Sequence, residues 1–224
     1  MNDSTSTIAT AGGRSGGRIK VWDRAVRIFH WSLVAGFAVA WLSAETLAPG
    51  SEIHEIAGYV VAALVVFRLV WGLIGGRYAR FAQFVRGPAV TLSYMRDMLA
   101  RRERRYLGHN PAGAAMIVAL LVMLAGTALT GWLTEQSAEM AMTPDMPAAT
   151  TPAEVGEEGE EEGGERGGGE SAVAEIHEVL GNLTLLLVLL HVGGVVLASI
   201  RHRENLAQAM VTGEKRAPGP DDVA

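Results

Sequence analysis

The sequence predicts an all-α fold: an integral membrane four-helix bundle with both termini cytoplasmic. Three observations carry this reading. Apolar residues make up 49% of the 224 residues and gather into four blocks, roughly 26–43, 53–75, 113–133 and 176–200. Each has about the 20 residues needed to cross hydrocarbon. Of the 19 Lys and Arg, 17 lie on one side of these blocks, which the positive-inside rule assigns to the cytoplasm. Four histidines lie within the blocks, where an ionisable side chain is costly.

Residues 1–19 are a Ser-, Thr-, Gly- and Ala-rich segment expected to be disordered. The first apolar block starts late and no clear small-residue cleavage site follows it, so this segment is not read as a signal peptide. Residues 20–215 form one four-span domain, and 216–224 a tail. Arg14, Arg18, Lys20, Arg24 and Arg27 precede or open the first span. Eight arginines fill the connection between the second and third spans. Within it, residues 88–105 interleave Val90, Leu92, Tyr94, Met95, Met98 and Leu99 with arginines. Pro88 opens that stretch, which reads as an amphipathic helix on a surface of anionic lipid. His109-Asn110-Pro111 reads as an N-cap and first turn for the third span.

Residues 134–175 form an acidic outer loop with twelve Asp or Glu and one basic residue. Its Gly/Glu centre, 156–170, is expected to be disordered. It reads as a solvated loop, a docking surface for a basic partner or a cation-binding tract. All five tryptophans lie near predicted span boundaries, where they suit the interface or packing. There is no cysteine, which excludes disulfides, Cys-ligated clusters and covalent haem attachment.

The histidines carry the chemistry. His177 and His191 are 14 residues apart on one predicted helix. Such a spacing rises about 21 Å and lags by roughly 40°, so one helix offers a ligand near each side of a bilayer. Residues 53–58 read Ile-His-Glu-Ile-Ala-Gly and 176–181 read Ile-His-Glu-Val-Leu-Gly. This weak repeat sets His54 and His177 at similar depth near the outer face. His30 lies near the opposite end of its span, within reach of His191. The spacing suits two haems held non-covalently by paired histidines, His54 with His177 outside and His30 with His191 inside. Gly58 and Gly181, one turn after their histidines, leave room for a flat macrocycle or allow close helix contact. Thr184, midway between His177 and His191, is placed to face the gap between the haems. Arg68 stands 14 residues after His54, where it pairs with an inner propionate or snorkels to the interface. Arg24 and Arg27 are weaker candidates for the same role. His109 and His202 lie outside the spans and are not expected to be ligands; proton exchange at a quinone site is the role left to them.

The stretches Val21-Trp22-Asp23, Arg27-Ile28-Phe29-His30-Trp31, Ile53-His54-Glu55, Gly108-His109-Asn110-Pro111 and His202-Arg203-Glu204-Asn205, with His177 and His191, resemble the bacterial cytochrome b561 family. That family includes the b-type membrane subunits of nickel–iron hydrogenases. The resemblance covers about residues 20–215, without most of the acidic loop. It implies a four-helix core with two b haems ligated by His30, His54, His177 and His191. It also implies electron transfer between the quinone pool and a redox partner in the inner membrane of a respiratory chain. The partner is a periplasmic c-type cytochrome or a dehydrogenase or hydrogenase subunit, and no nucleic-acid partner is expected. The long Glu/Gly loop and the absence of a further span after the fourth are departures from the hydrogenase subunits. The alternative is a divalent-metal transporter or sensor using intramembrane His and the acidic loop. No His-Glu-x-x-His motif occurs, and 14 residues are too long a separation for one metal site.

Overall fold

A computed structural model describes residues 17–47, 50–142 and 164–223, with side chains from 17–47, 50–140 and 172–223. The elements are β1 (Arg18–Lys20), α1 (Arg24–Thr46), α2 (Glu52–Ile74), α3 (Phe81–Phe84), α4 (Pro88–Leu99), α5 (Pro111–Met142), α6 (Gly164–His202), α7 (Leu206–Thr212) and β2 (Glu214–Arg216). Four of them, α1, α2, α5 and α6, are long and apolar enough to cross a membrane. The predicted all-helical bundle is therefore present, as a multi-pass membrane protein.

Local chemistry sets the helix ends. Asp23 caps α1, its Oδ1 accepting from the Val26 N–H at 2.8 Å. Gly50 adopts φ +69 in the turn that follows, a left-handed conformation that favours glycine. Glu52 and Glu55 sit in the first turn of α2, where negative charge complements the helix dipole. The α2 terminus needs Gly75, since a Cβ there would collide with the Trp71 carbonyl and indole. Pro88 opens α4, as expected. The helix stops at Leu99 rather than continuing to 105, because Arg101 turns left-handed at φ 57. Asn110 Oδ1 accepts from Gly113 N–H at 2.7 Å, capping α5 with Pro111 at its start.

α5 and α6 run well past the apolar blocks predicted for them. α5 continues to Met142, with Thr134 and Ser137 hydroxyls folded back onto carbonyls four residues earlier. α6 starts at Gly164, inside the stretch expected to be disordered. Adding residues to an existing helix is far easier than nucleating one, so the spans propagate into polar sequence. Residues 143–163, the middle of the acidic loop, lie outside the described residues, as do 1–16 of the N-terminal segment.

The helices pack in the order α1–α2–α5–α6. Val61 and Val65 of α2 meet Leu121 and Leu124 of α5, with Leu33 and Phe37 of α1 against them. α6 lies along α5 and is the least covered span, with 6% of its apolar window buried. It does not pack against α1 or α2 over any length.

The arginine-rich end is closed by chain segments that the sequence reading left as tails. Arg18–Lys20 pairs antiparallel with Glu214–Arg216, so Arg18 and Ile19 belong to a strand rather than to a disordered segment. Val21 and Trp22 N–H both donate to the Gly213 carbonyl, at 2.9 and 3.1 Å. Val223 bridges back to the 105–107 backbone, so 216–224 is tied down as well. Beneath these strands lies a buried ion network. Arg105 pairs with Glu204 at 2.9 Å and with Asp222, while Lys215 Nζ donates to the Leu107 carbonyl at 2.9 Å. Trp22 is a packing residue here, buried against His109 rather than standing at the interface. Burial drives the Lys215 ammonium down to about 8, against the pull of Glu204.

Burial works to raise the Glu204 carboxyl, but hydrogen bonds from Arg105 and the Arg216 N–H outweigh it and hold the group below its ordinary value. Asp222 behaves alike, burial being overcome by the Gly219 N–H and Arg105. Both groups bind protons later in the folded chain than in the unfolded one. Their stabilisation is complete above the ordinary value of 4.5 and is lost as pH falls through the lowered folded values. Thermal unfolding in detergent should show midpoints that drop below about pH 4.5, with a smaller acid drop in Glu204→Gln. Arg105→Ala strands two buried carboxylates and should cost about 3–5 kcal/mol in the same assay. Arg18→Ala, which removes only an exposed 3.8 Å pair with Glu214, should change stability by less than about 1 kcal/mol.

Candidate functional site

The four intramembrane histidines meet as two pairs. His54 of α2 faces His177 of α6 with ring centres 5.9 Å apart and planes at 86°. His30 of α1 faces His191 of α6 at 6.4 Å and 54°. The cross pairings are absent from the described ring contacts. α6 thus reaches α2 through one of its histidines and α1 through the other, across a space where the helices themselves stay apart.

The outer pair is held by its second ring nitrogens. His54 Nδ1 lies 2.8 Å from the Ala40 carbonyl of α1. His177 Nδ1 lies 2.9 Å from the Thr127 carbonyl and 3.2 Å from Thr130 Oγ1, both on α5. A ring that donates Nδ1–H to a carbonyl keeps its lone pair on Nε2, the arrangement expected of a metal ligand. Two such nitrogens at about 2 Å from one iron, with the depth of each ring added, put ring centres roughly 6.3 Å apart. Both observed separations lie close to that value. The inner pair is less supported: His30 Nδ1 is buried without a hydrogen-bond partner.

α5 supplies the seat of His177. A Cβ on Gly131 would stand 2.9 Å from His177 Cε1, so only glycine admits the imidazole there. Thr127 and Thr130 return their own hydroxyls to α5 carbonyls, at 2.9 Å each. Thr184 is fully buried, donating to the Leu180 carbonyl at 2.7 Å and lying 3.4 Å from Thr127 Oγ1. It therefore packs onto α5 and does not face a gap between the histidine pairs. Thr127, Thr130 and Gly131 escaped the sequence reading. Their signal was present as Gly126-Thr127-Ala128-Leu129-Thr130-Gly131, a polar and small-residue run within a span.

A Cβ added at Gly58 or Gly181 would meet nothing within 4 Å, so close helix contact does not explain either glycine. Arg68 is buried at 3% exposure and bends toward the end of the bundle. Its Nη2 donates to the Ala79 carbonyl at 3.1 Å, and the guanidinium covers the Phe81 ring at 4.7 Å. It neither snorkels into solvent nor lies at the histidines, and its Nη1 is buried without a partner. Arg27 is engaged by the Val211 carbonyl of α7, and Arg24 is exposed. His109 is wedged between Trp22 and Phe84, with centroids at 4.6 and 4.5 Å. Burial pushes its pKa down to about 3, and the charges of Arg68, Lys215 and His191 add to that. His202 ends α6, partly covered.

The family model for prokaryotic cytochrome b561 matches residues 21–213. The chain belongs to the prokaryotic cytochrome b561 family. No curated protein and no solved structure matches this b561 chain. Membership implies b-type haem binding and membrane electron transfer. The paired imidazoles fit that group, with anchored Nδ1 atoms on the outer pair and unobstructed glycines beside it. Among the described residues, no three His, Cys, Asp or Glu come together as a divalent-metal site would need. The transporter or sensor reading is accordingly not favoured.

Gly131→Val should push the His177 ring off its seat. A loss of at least half of the outer haem absorbance, with the inner component kept, is the expected optical result.

Proposed function

We propose that this b561-family chain is a di-haem membrane cytochrome, passing electrons between the quinone pool and a redox partner in a respiratory chain. The observation that carries the reading is the meeting of four histidines as two cross-helix pairs, at 5.9 and 6.4 Å. Bound haem supplies one-electron chemistry, and six-coordinate iron favours outer-sphere transfer over oxygen binding.

The protein's part is positional. His54 and His177 hold the outer group, and His30 and His191 the inner one. The Ala40 and Thr127 carbonyls fix the outer rings in one tautomer and orientation, which also raises ligand basicity. Gly58 and Gly181 leave the flanks of the outer pair open. Arg68 contributes positive charge on the inner side. The apolar spans keep water from the route between the pairs.

Charge orients the assembly. The arginine-rich end, with both termini, faces the cytoplasm by the positive-inside rule, and the acidic loop faces the periplasm of an inner membrane. That acidic side suits a basic partner such as a periplasmic c-type cytochrome; a dehydrogenase or hydrogenase subunit is the other candidate. Amphipathic α4, with its exposed Leu92, Met95 and Leu99, lies on the lipid surface.

A pyridine haemochrome assay on the detergent-purified chain should count two b haems per polypeptide, and a count of none in folded, haem-supplied protein would overturn the reading. His54→Ala and His177→Ala should remove one and the same spectral component, and His30→Ala and His191→Ala the other. Loss of a common component in His54→Ala and His30→Ala would break the pairing.

A further inference from the structure

Two buried nitrogens at the inner end of the bundle have no use within the protein. Arg68 Nη1 and His109 Nδ1 are each shielded from solvent and each lack a hydrogen-bond partner. They share one wall, since the Phe84 ring is covered by the Arg68 guanidinium at 5.9 Å and stacked by the His109 ring at 4.5 Å. His109 also lies within electrostatic reach of Arg68 and of His191, and His191 of His30. The two spare donors therefore flank the inner histidine pair on its arginine-rich side. An unpaired buried guanidinium nitrogen is strongly unfavourable, and an anion is the partner that relieves it.

We propose that Arg68 and His109 together bind a carboxylate borne by the group that His30 and His191 hold, that is, an inner haem propionate. Arg68 gives a charged donor through Nη1, and His109 a neutral one through Nδ1–H. Asp23 is not available to neutralise Arg68 by contact: its Oδ1 caps α1 and its Oδ2 accepts from Trp71 Nε1 at 3.3 Å. Phe81, Phe84 and Trp22 fix both donors by packing, so neither can follow an anion that moves. His109 thereby gains a role unrelated to metal ligation and to proton exchange with quinone. The inference rests on the two-haem reading and adds a second anchoring point to its inner site.

The test uses full-length protein in detergent and the rate at which excess apomyoglobin withdraws each haem, followed through the separate inner and outer spectral components. Native haem is compared with haem dimethyl ester, which lacks free carboxylates. In the wild type the ester should leave the inner site about tenfold faster than native haem. Arg68→Met and His109→Leu should each speed loss of native inner haem, with no added effect on the ester. Arg68→Lys and His109→Gln should restore part of the retention. Outer haem kept in every variant serves as the folding control. If a variant loses both haems, the wild-type ester comparison and the conservative variants decide. Equal release of ester and native haem, or variants that speed both alike, would overturn the proposal while leaving the two-haem reading intact. A wild type without two haems would remove the reading itself.

Discussion

A histidine inside hydrocarbon has two ring nitrogens to satisfy and no water to satisfy them with. Much of this structure follows from how that demand is met. His54 spends Nδ1 on the Ala40 carbonyl and His177 on the Thr127 carbonyl. Each bond crosses to a neighbouring helix, so α1 aims a ligand on α2 and α5 aims one on α6. Helices that contribute no donor atom at the outer site still determine where its donors point. Carbonyl acceptors suit this role because their positions are set by the helix ladders.

The bundle is asymmetric for the same reason. α1, α2 and α5 share an apolar core around Val61, Val65, Leu121 and Leu124, whereas α6 rests mainly on α5. Close packing of α6 onto α2 would bury apolar area but push the two imidazoles of the outer pair past each other. Small and hydroxylated residues at the α5–α6 seam, Gly126, Thr127, Gly131 and Thr184, bring those two backbones together instead. Tight contact on one side of α6 and separation on the other are both needed to keep rings 5.9 Å apart across a bundle.

The spans and the face shared by His177 and His191 were legible in the sequence, because apolar length and a 14-residue spacing are properties of one helix. The pairing across helices was readable only through topology, since charge bias sets which ends of the four spans lie together. Other features had no local signature. The helical reach of α5 and α6 into polar sequence depends on propagation from the spans. The β1–β2 ladder joins residues almost 200 positions apart, with three residues a side and no alternating pattern to betray it. Arg68 carried a signal as a charge in a span, but its turn toward Ala79 and Phe81 depends on where the chain goes after Gly75. Thr184 lay on the right face, yet its neighbour is decided by α5 rather than by its own helix.

That small ladder sits at a mechanically telling place. Three residues separate β1 from α1, while α7 and the two short turns beside it are all that separate α6 from β2. The strands thus act as a clasp between the first and last spans, which otherwise have no extended contact. His30 and His191 ride on the two helices so clasped. Opening the clasp would leave α6 hinged on α5 alone, free to swing its inner imidazole away while the outer one stayed seated against Gly131. The chain ends behave as a tether that sets the grip of one ligand pair and spares the other.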